Sequence, residues 1–213
     1  MRAIGWLLSL MMLAAAPVFG QWVPLSGTQV STVQVLSADG KVTSHRAEKD
    51  RYFRNSSGSI LFQHVADDGT NLPKSGLLLD HGKSSKTYTL DYEHGAAVDR
   101  HRPAKPLAPK SWTDVTPAQQ KEQETVDGVR CVVAPIYAAN ANGTKTLIGR
   151  IWTAPEYNFA QIKEDSTRTL ADGRQVHITR ELKDISAGSE PDPALFATDA
   201  ASIRQARTAA PRR

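Results

Sequence analysis

The residues of this chain with reactive side chains are six histidines, one cysteine and a few neighbouring acids. His45, His64, His81, His94, His101 and His177 stand singly. No H-x-x-x-H pair lies on a predicted helix and no H-x-H on a predicted strand, the spacings that turn two imidazoles toward one metal. His81, His94 and His101 fall near the ends of adjoining predicted strands, where with Asp80 or Asp99 they could converge on a metal or a hydrolytic centre. The same spacing equally describes surface histidines. Asp67 with Asp68, Glu164 with Asp165, and Glu48 with Asp50 are the acid pairs that general acid/base work on a glycan would need. Each sits beside a turn or on a polar strand face, where carboxylates are solvated by default. A serine nucleophile on a strand-turn-helix elbow would show G-x-S-x-G, which is absent, and Ser84-Ser85-Lys86 lacks the S-x-x-K spacing. Cys131 lies in Val129-Arg-Cys-Val-Val133, where residues 129, 131 and 133 share a strand face, so it reads as a small core hydrophobe. No catalytic residue, metal or cofactor is expected.

The aromatic residues offer binding rather than catalysis. Trp112, Trp152, Tyr157 and Phe159 cluster in sequence around a proline-rich loop and a Pro-Glu turn. They serve either as core and rim packing or as the mouth of a ligand cavity, with amphipathic rings at the edge of an apolar hollow. In the second case Leu77, Leu79, Tyr88, Leu90, Ile151 and Ile178 would line the hollow, provided the sheet that carries them curves.

The elements that must position these residues are almost all strands. Arg2, the uncharged apolar run Trp6 to Ala16 and the small residues before Gln21 form the three parts of a cleavable secretory signal over residues 1–20, with a cut after Ala16 as the alternative. That run is too short to span a bilayer, which takes about 20 residues. The 193 residues of the 213 that follow are enough for one domain, and a lone cysteine excludes an internal disulfide framework. The net charge of +4 includes Arg2, Arg204, Arg207, Arg212 and Arg213; without these five the body stands at −1, which argues against a nucleic-acid surface. Residues 199–213 read as a basic disordered tail.

Turn signals at Ala38-Asp-Gly40, Asn55-Ser-Ser-Gly58, Asp67-Asp-Gly69, Asn140-Ala-Asn-Gly143 and Ala171-Asp-Gly173 punctuate alternating segments, as in an antiparallel meander. Gly76-Leu-Leu-Leu79 is a continuous apolar run, which predicts burial on both faces. Residues 102–110 hold three prolines and predict an irregular crossing loop within a single domain over 21–198. Thr116 to Glu124 is the one good helix candidate, with a Thr cap, an early Pro and strong helix formers. Asp192 to Phe196 predicts a short capped turn whose Leu195 and Phe196 plug the sheet.

Arg51-Tyr-Phe-Arg54 with Ser57-Gly58, Thr87-Tyr-Thr-Leu-Asp91, Val126-Asp-Gly-Val129, Ile151-Trp-Thr-Ala-Pro-Glu156 and Glu190-Pro-Asp-Pro-Ala-Leu-Phe196 occur in that order over residues 41–198. This series resembles a large family of uncharacterised exported bacterial proteins, and at fold level it is similar to the periplasmic lipoprotein-carrier (LolA-like) group. The resemblance implies a mainly β fold: one curved antiparallel sheet, a half-barrel, with one or two short helices. The carriers have several helices over the mouth where this chain offers one. The expectation is an exported, non-enzymatic, monomeric protein that binds an apolar or envelope-derived ligand. The alternatives are a structural or protein-interaction module of the envelope and a hydrolytic enzyme. The expected partner is an amphiphile or an envelope protein, with no nucleic acid and no membrane span after signal cleavage.

Overall fold

Period-two alternation over most of the chain gives side chains that point to opposite faces of a pleated ribbon, and such ribbons bury their apolar rows only by pairing. The computed structural model describes residues 21–65, 70–104, 108–139 and 143–208. The expected signal peptide, residues 1–20, and the acids Asp67 and Asp68 lie outside them. The strands are β1 (Leu25–Leu36), β2 (Val42–Arg54), β3 (Ile60–Val65), β4 (Pro73–Asp80), β5 (Lys86–Asp91), β6 (Ala96–Pro103), β7 (Gln123–Val126), β8 (Val129–Ala139), β9 (Lys145–Ala154), β10 (Ala160–Thr169) and β11 (Gln175–Ala187), followed by helix α1 (Ala200–Thr208).

All eleven strands form one antiparallel sheet in the order β6-β5-β4-β3-β2-β1-β11-β10-β9-β8-β7. Each half is a meander, and the halves join where the first strand meets the last, in register from Leu25 opposite Ala187 to Leu36 opposite Gln175. The fold is therefore mainly β, as expected. The sheet is open, with β6 and β7 at its two edges, and it is not strongly curled.

Tyr52 and Phe53 are consecutive on β2 and so face opposite ways, and each anchors a core. On the inner face Tyr52 packs with Leu25, Leu182, Ile162, Ala160, Cys131, Val133 and Trp152. On the outer face Phe53, Leu61, Leu78, Leu90 and Tyr92 pack under Leu195, Phe196, Ile203 and Ala206. The 3-10 turn Pro193–Phe196 is capped by Asp192, whose carboxylate accepts from the Ala194 N–H at 2.9 Å, and it plugs the sheet as expected.

Four local expectations change. The tail expected to be disordered is helical over Ala200–Thr208, because Ile203 and Ala206, three residues apart, share the helix face that covers the outer core. The expected helix over 116–124 is reduced to the 3-10 turn Gln119–Lys121. Thr116 and Gln119 bond each other, and the Glu122 carbonyl is drawn out to accept from the Val133 N–H at 2.8 Å, so sheet pairing overrides helix propensity. Arg102 and Pro103, placed in the irregular loop by sequence, extend β6; Pro103 opposes Lys86 on an edge strand, where its missing N–H disrupts no inner ladder. The leucine run is buried on one face only: Leu78 is 0% exposed and Leu77 is 40% exposed.

The α1 packing predicts that Ile203→Ala lowers the unfolding free energy by about 2–5 kcal/mol, the usual cost of truncating a buried aliphatic side chain. Urea denaturation followed by circular dichroism measures it; an unchanged midpoint would show that α1 does not cover the core in solution.

Candidate functional site

The inner face becomes a site where three segments meet over β2 and β3. Residues 21–24 run into β1, residues 108–111 arrive from the crossing loop, and the β9–β10 connection turns back between them. Asn158 ties them together: its Oδ1 accepts from the Val23 N–H at 2.5 Å and its Nδ2 donates to the Lys110 carbonyl at 2.9 Å. It reaches both because it sits in the left-handed region at φ 50, one of the few side chains that tolerate it. Phe159 follows at φ 57, a strained conformation for an aromatic residue, held by its N–H to the Ala154 carbonyl at 2.8 Å.

Arg54, at the end of β2, is 2% exposed. Its Nε and Nη2 donate to the Val23 carbonyl at 3.1 and 2.9 Å, and Nη2 also donates to the Tyr157 carbonyl at 2.7 Å. Its guanidinium lies 5.1 Å from the centre of the Trp22 ring. Gly58, at φ 83, lets that indole lie against the β2–β3 turn, because a Cβ there would overlap the ring. Burial pulls the Arg54 pKa down and the Tyr52 phenol partly offsets this, yet an arginine starts high enough to stay charged.

Together these residues enclose a cavity of about 450 Å³, walled by Trp22, Tyr52, Ile60, Phe62, Phe159 and Ala160, with Arg54, Lys110, Asn158, Gln29, Gln161 and Ala108 completing it. Tyr52 and Phe62 meet edge to face, centroids 5.4 Å apart. A second hollow of about 430 Å³ shares Gln29 and Phe62 with the first and continues along the inner face past Ser31, Val33, Glu48, Asp50, His64, Leu77 and Arg180. It is polar. Beside it, Glu164 accepts from Arg180 Nη1 at 2.6 Å, Ser166 Oγ at 2.9 Å and Gln161 Nε2 at 3.2 Å; burial alone would raise its pKa, and these bonds hold it below the usual range instead. His64 Nδ1 lies 3.2 Å from Asp50, whose pKa burial raises.

Of the ten residues expected to line a hollow, the structure brings two to it. Phe159 walls the apolar cavity and Leu77 the polar hollow. Leu79 alternates with Leu77 on the inner side, whereas Tyr88 and Leu90 pair with Leu78 and Gly76 and pack in the outer core, because the expectation mixed two faces of one hairpin. Trp112 stacks on Arg130 at 3.8 Å. Trp152 is a core residue whose Nε1 donates to Glu124 at 2.8 Å, with Lys163 4.9 Å from its ring centre. Tyr157 packs against the inner core and gives its carbonyl to Arg54. Ile151 and Ile178 are half-buried opposite Glu164 and Ser166. Sequence reasoning missed Trp22, Tyr52, Arg54, Ile60, Phe62 and Asn158. The signal was there for four of them: residues 52, 54, 60 and 62 are alternate positions on the two arms of one hairpin around Asn55–Gly58.

Most of the candidate catalytic groups engage a local partner rather than one another, and His81 keeps a buried Nδ1 without a hydrogen-bond partner. Asp80 accepts from Ser59 Oγ, Ser84 Oγ and the Lys83 and Ser84 N–H groups, His94 bonds Asp91 at 2.7 Å, and Asp99 holds Lys86 and the His101 N–H. Glu164 and Asp165 face opposite ways, toward Arg180 and His177. Among the described residues no group of three or more His, Cys, Asp or Glu side chains is placed to hold a metal ion, and no helix is long and apolar enough to cross a membrane.

The chain matches no family model and no curated protein. Among solved structures it is similar to a LolA superfamily protein, NE2245 from Nitrosomonas europaea (8% identity, 81% of this chain and 90% of that one, TM-score 0.31). It is similar also to LprF from Mycobacterium bovis (13% identity, 79% and 90%, TM-score 0.33) and to a DUF1329 family protein from Desulfovibrio piger (11% identity, 83% and 90%, TM-score 0.29). These are remote likenesses.

Two outcomes follow from this geometry. Asn158→Ala loses both tethers and places a Cβ-bearing residue without side-chain bonds in the left-handed region, at a cost of about 1–3 kcal/mol. Hydrogen exchange should show the Val23 amide deprotected; an unchanged exchange rate would remove Asn158 as the tie. Burial, with Glu156 and Glu124 adding to it, pushes the Cys131 thiol up to about 11. The folded thiol therefore stays protonated where a free cysteine, near pKa ~8.5, has ionised, and stability falls as pH rises from about 8.5 toward 11. Native protein at pH 8 should resist iodoacetamide and react fully once unfolded. Rapid native labelling would contradict the buried placement.

Proposed function

We propose that this chain is an exported, non-enzymatic binding protein that carries an apolar or envelope-derived ligand in the inner-face cavity. The observation that carries the reading is the cavity itself: four aromatic rings, from Trp22, Tyr52, Phe62 and Phe159, surround about 450 Å³ that the chain's own side chains leave open. Small-molecule sites have this character, apolar walls with a few polar groups that orient the occupant, and volumes of about 300–1,000 Å³. The signal-like residues 1–20 supply the export reading, with a periplasm or the medium as destination. The local engagement of His94, Asp80 and Asp99 leaves the hydrolytic alternative without an assembled centre.

A structural or protein-interaction module of the envelope is the second reading. It is favoured by one observation: Tyr137 and Leu147 oppose each other on the β8–β9 hairpin with 54% and 58% of their surfaces exposed.

The test is native mass spectrometry of the exported protein, with solvent extraction of whatever it retains. An amphiphile adduct is expected on the wild type. Ala108→Trp, which plugs the cavity from the crossing segment, should lose the adduct and reduce uptake of an apolar fluorophore by about tenfold while leaving the urea midpoint in place. A wild type that retains and takes up nothing, and instead pulls down an envelope protein lost in Tyr137→Ser with Leu147→Ser, would replace the first reading with the second.

A further inference from the structure

We propose that the occupant of this cavity is an anionic amphiphile, a single alkyl chain among the rings with a carboxylate or phosphate head held by Arg54 and Lys110. This deepens the carrier reading and rests on it. Among the residues that enclose the cavity, the charged ones are Arg54 and Lys110, with no aspartate or glutamate beside them. The adjoining hollow differs: it holds Glu48 and Asp50, and its cation Arg180 is neutralised by Glu164.

Arg54 is the decisive group. A buried charge is costly unless a counter-charge accompanies it. The buried carboxylate Glu164 has its arginine, and Asp80 has four hydrogen-bond donors. Arg54 has carbonyl oxygens and the face of an indole, and its sole electrostatic neighbour is the Tyr52 phenol; no carboxylate of the described residues pairs with it. Two carbonyls and a cation–π contact orient the guanidinium without neutralising it. Nε and Nη2 are spent on those carbonyls, so Nη1 is the nitrogen left to donate to a carboxylate or phosphate oxygen of whatever enters, as a charge-assisted hydrogen bond. Lys110 adds a second, exposed positive charge, from a segment whose backbone Asn158 holds in place. An anion entering here supplies the counter-charge the fold omits.

The test is isothermal titration calorimetry on the full exported chain after delipidation, each compound below its micelle concentration. The probes share a twelve-carbon chain: dodecanoate, dodecyl phosphate, dodecyl maltoside and dodecyltrimethylammonium, with inorganic phosphate alone and phosphatidylglycerol vesicles as further arms. The expected result is that both anionic compounds bind at least about tenfold more tightly than the neutral and cationic ones. Lys110→Glu should weaken the anions by about tenfold and leave dodecyl maltoside unchanged, with the same urea midpoint as wild type. Arg54→Gln, which also loses its hold on Val23 and Tyr157, is read only if its melting curve stays cooperative; Lys110→Glu carries the test otherwise. Vesicle binding that matches dodecyl phosphate assigns the head to a phospholipid, and binding of the single-chain compounds alone assigns it to a free fatty acid or alkyl phosphate; either supports the proposal. Equal affinity for all four heads overturns the anionic assignment and leaves carriage standing. Inorganic phosphate binding as tightly as dodecyl phosphate overturns it too. If no chain-bearing compound binds, the carrier reading itself falls.

Discussion

The structure depends on the pairing of β1 with β11. Their facing residues lie 139 apart in sequence at Leu36 and Gln175 and 162 apart at Leu25 and Ala187, and their ladder makes two meanders one sheet. Closing so long a loop is entropically costly, and the return is that the central strands gain partners on both sides. Tyr52 comes from one meander and Ile162, Leu182 and Cys131 from the other, so the inner core exists only once that ladder has formed. The cavity has the same origin: Ile60 and Phe62 wall it from one half, Phe159 and Ala160 from the other.

A flat sheet would not bring those walls together, and local irregularities assist. The β1–β11 register shifts between Ser26 and Thr28, and the β9–β10 register shifts between Gln161 and Lys163, both beside the cavity. Bulges bend a strand and strengthen its twist, and they concentrate next to sites. The left-handed Asn158 and Phe159 complete the turn that follows β9. Arg54 then clamps the entering chain at Val23 and the connection at Tyr157 from a single side chain, which makes it at once a structural fastener and the one buried cation of the site.

Each face is covered by a different device. The outer core lies under Phe196 and α1, a closed and apolar contact. On the inner face, residues 108–111 contribute Ala108 and Lys110 to a wall rather than a plug. That difference is why the inner face, although it has a core of its own, also leaves room for an occupant.

Strand alternation, the turns at Asp39-Gly40 and Asp172-Gly173, the break at Asn55–Gly58, the plug at Leu195 and Phe196 and the core placement of Cys131 were all legible in the chain itself, because each rests on interactions within a few residues or on a two-residue period. The helix at 116–124, the tail beyond 199 and the burial of Leu77 were misread for the opposite reason. Glu122 is decided by Val133, α1 by a core it completes, and Leu77 by which side of the sheet is covered. The site shows the same division. Tyr52, Arg54, Ile60 and Phe62 share a face by alternation alone, but the sequence could not say that Trp22 and Phe159 close over them. That depends on contacts spanning more than a hundred residues, such as Arg54 to Tyr157 and Val23 to Asn158, whose energies exist only in the folded chain.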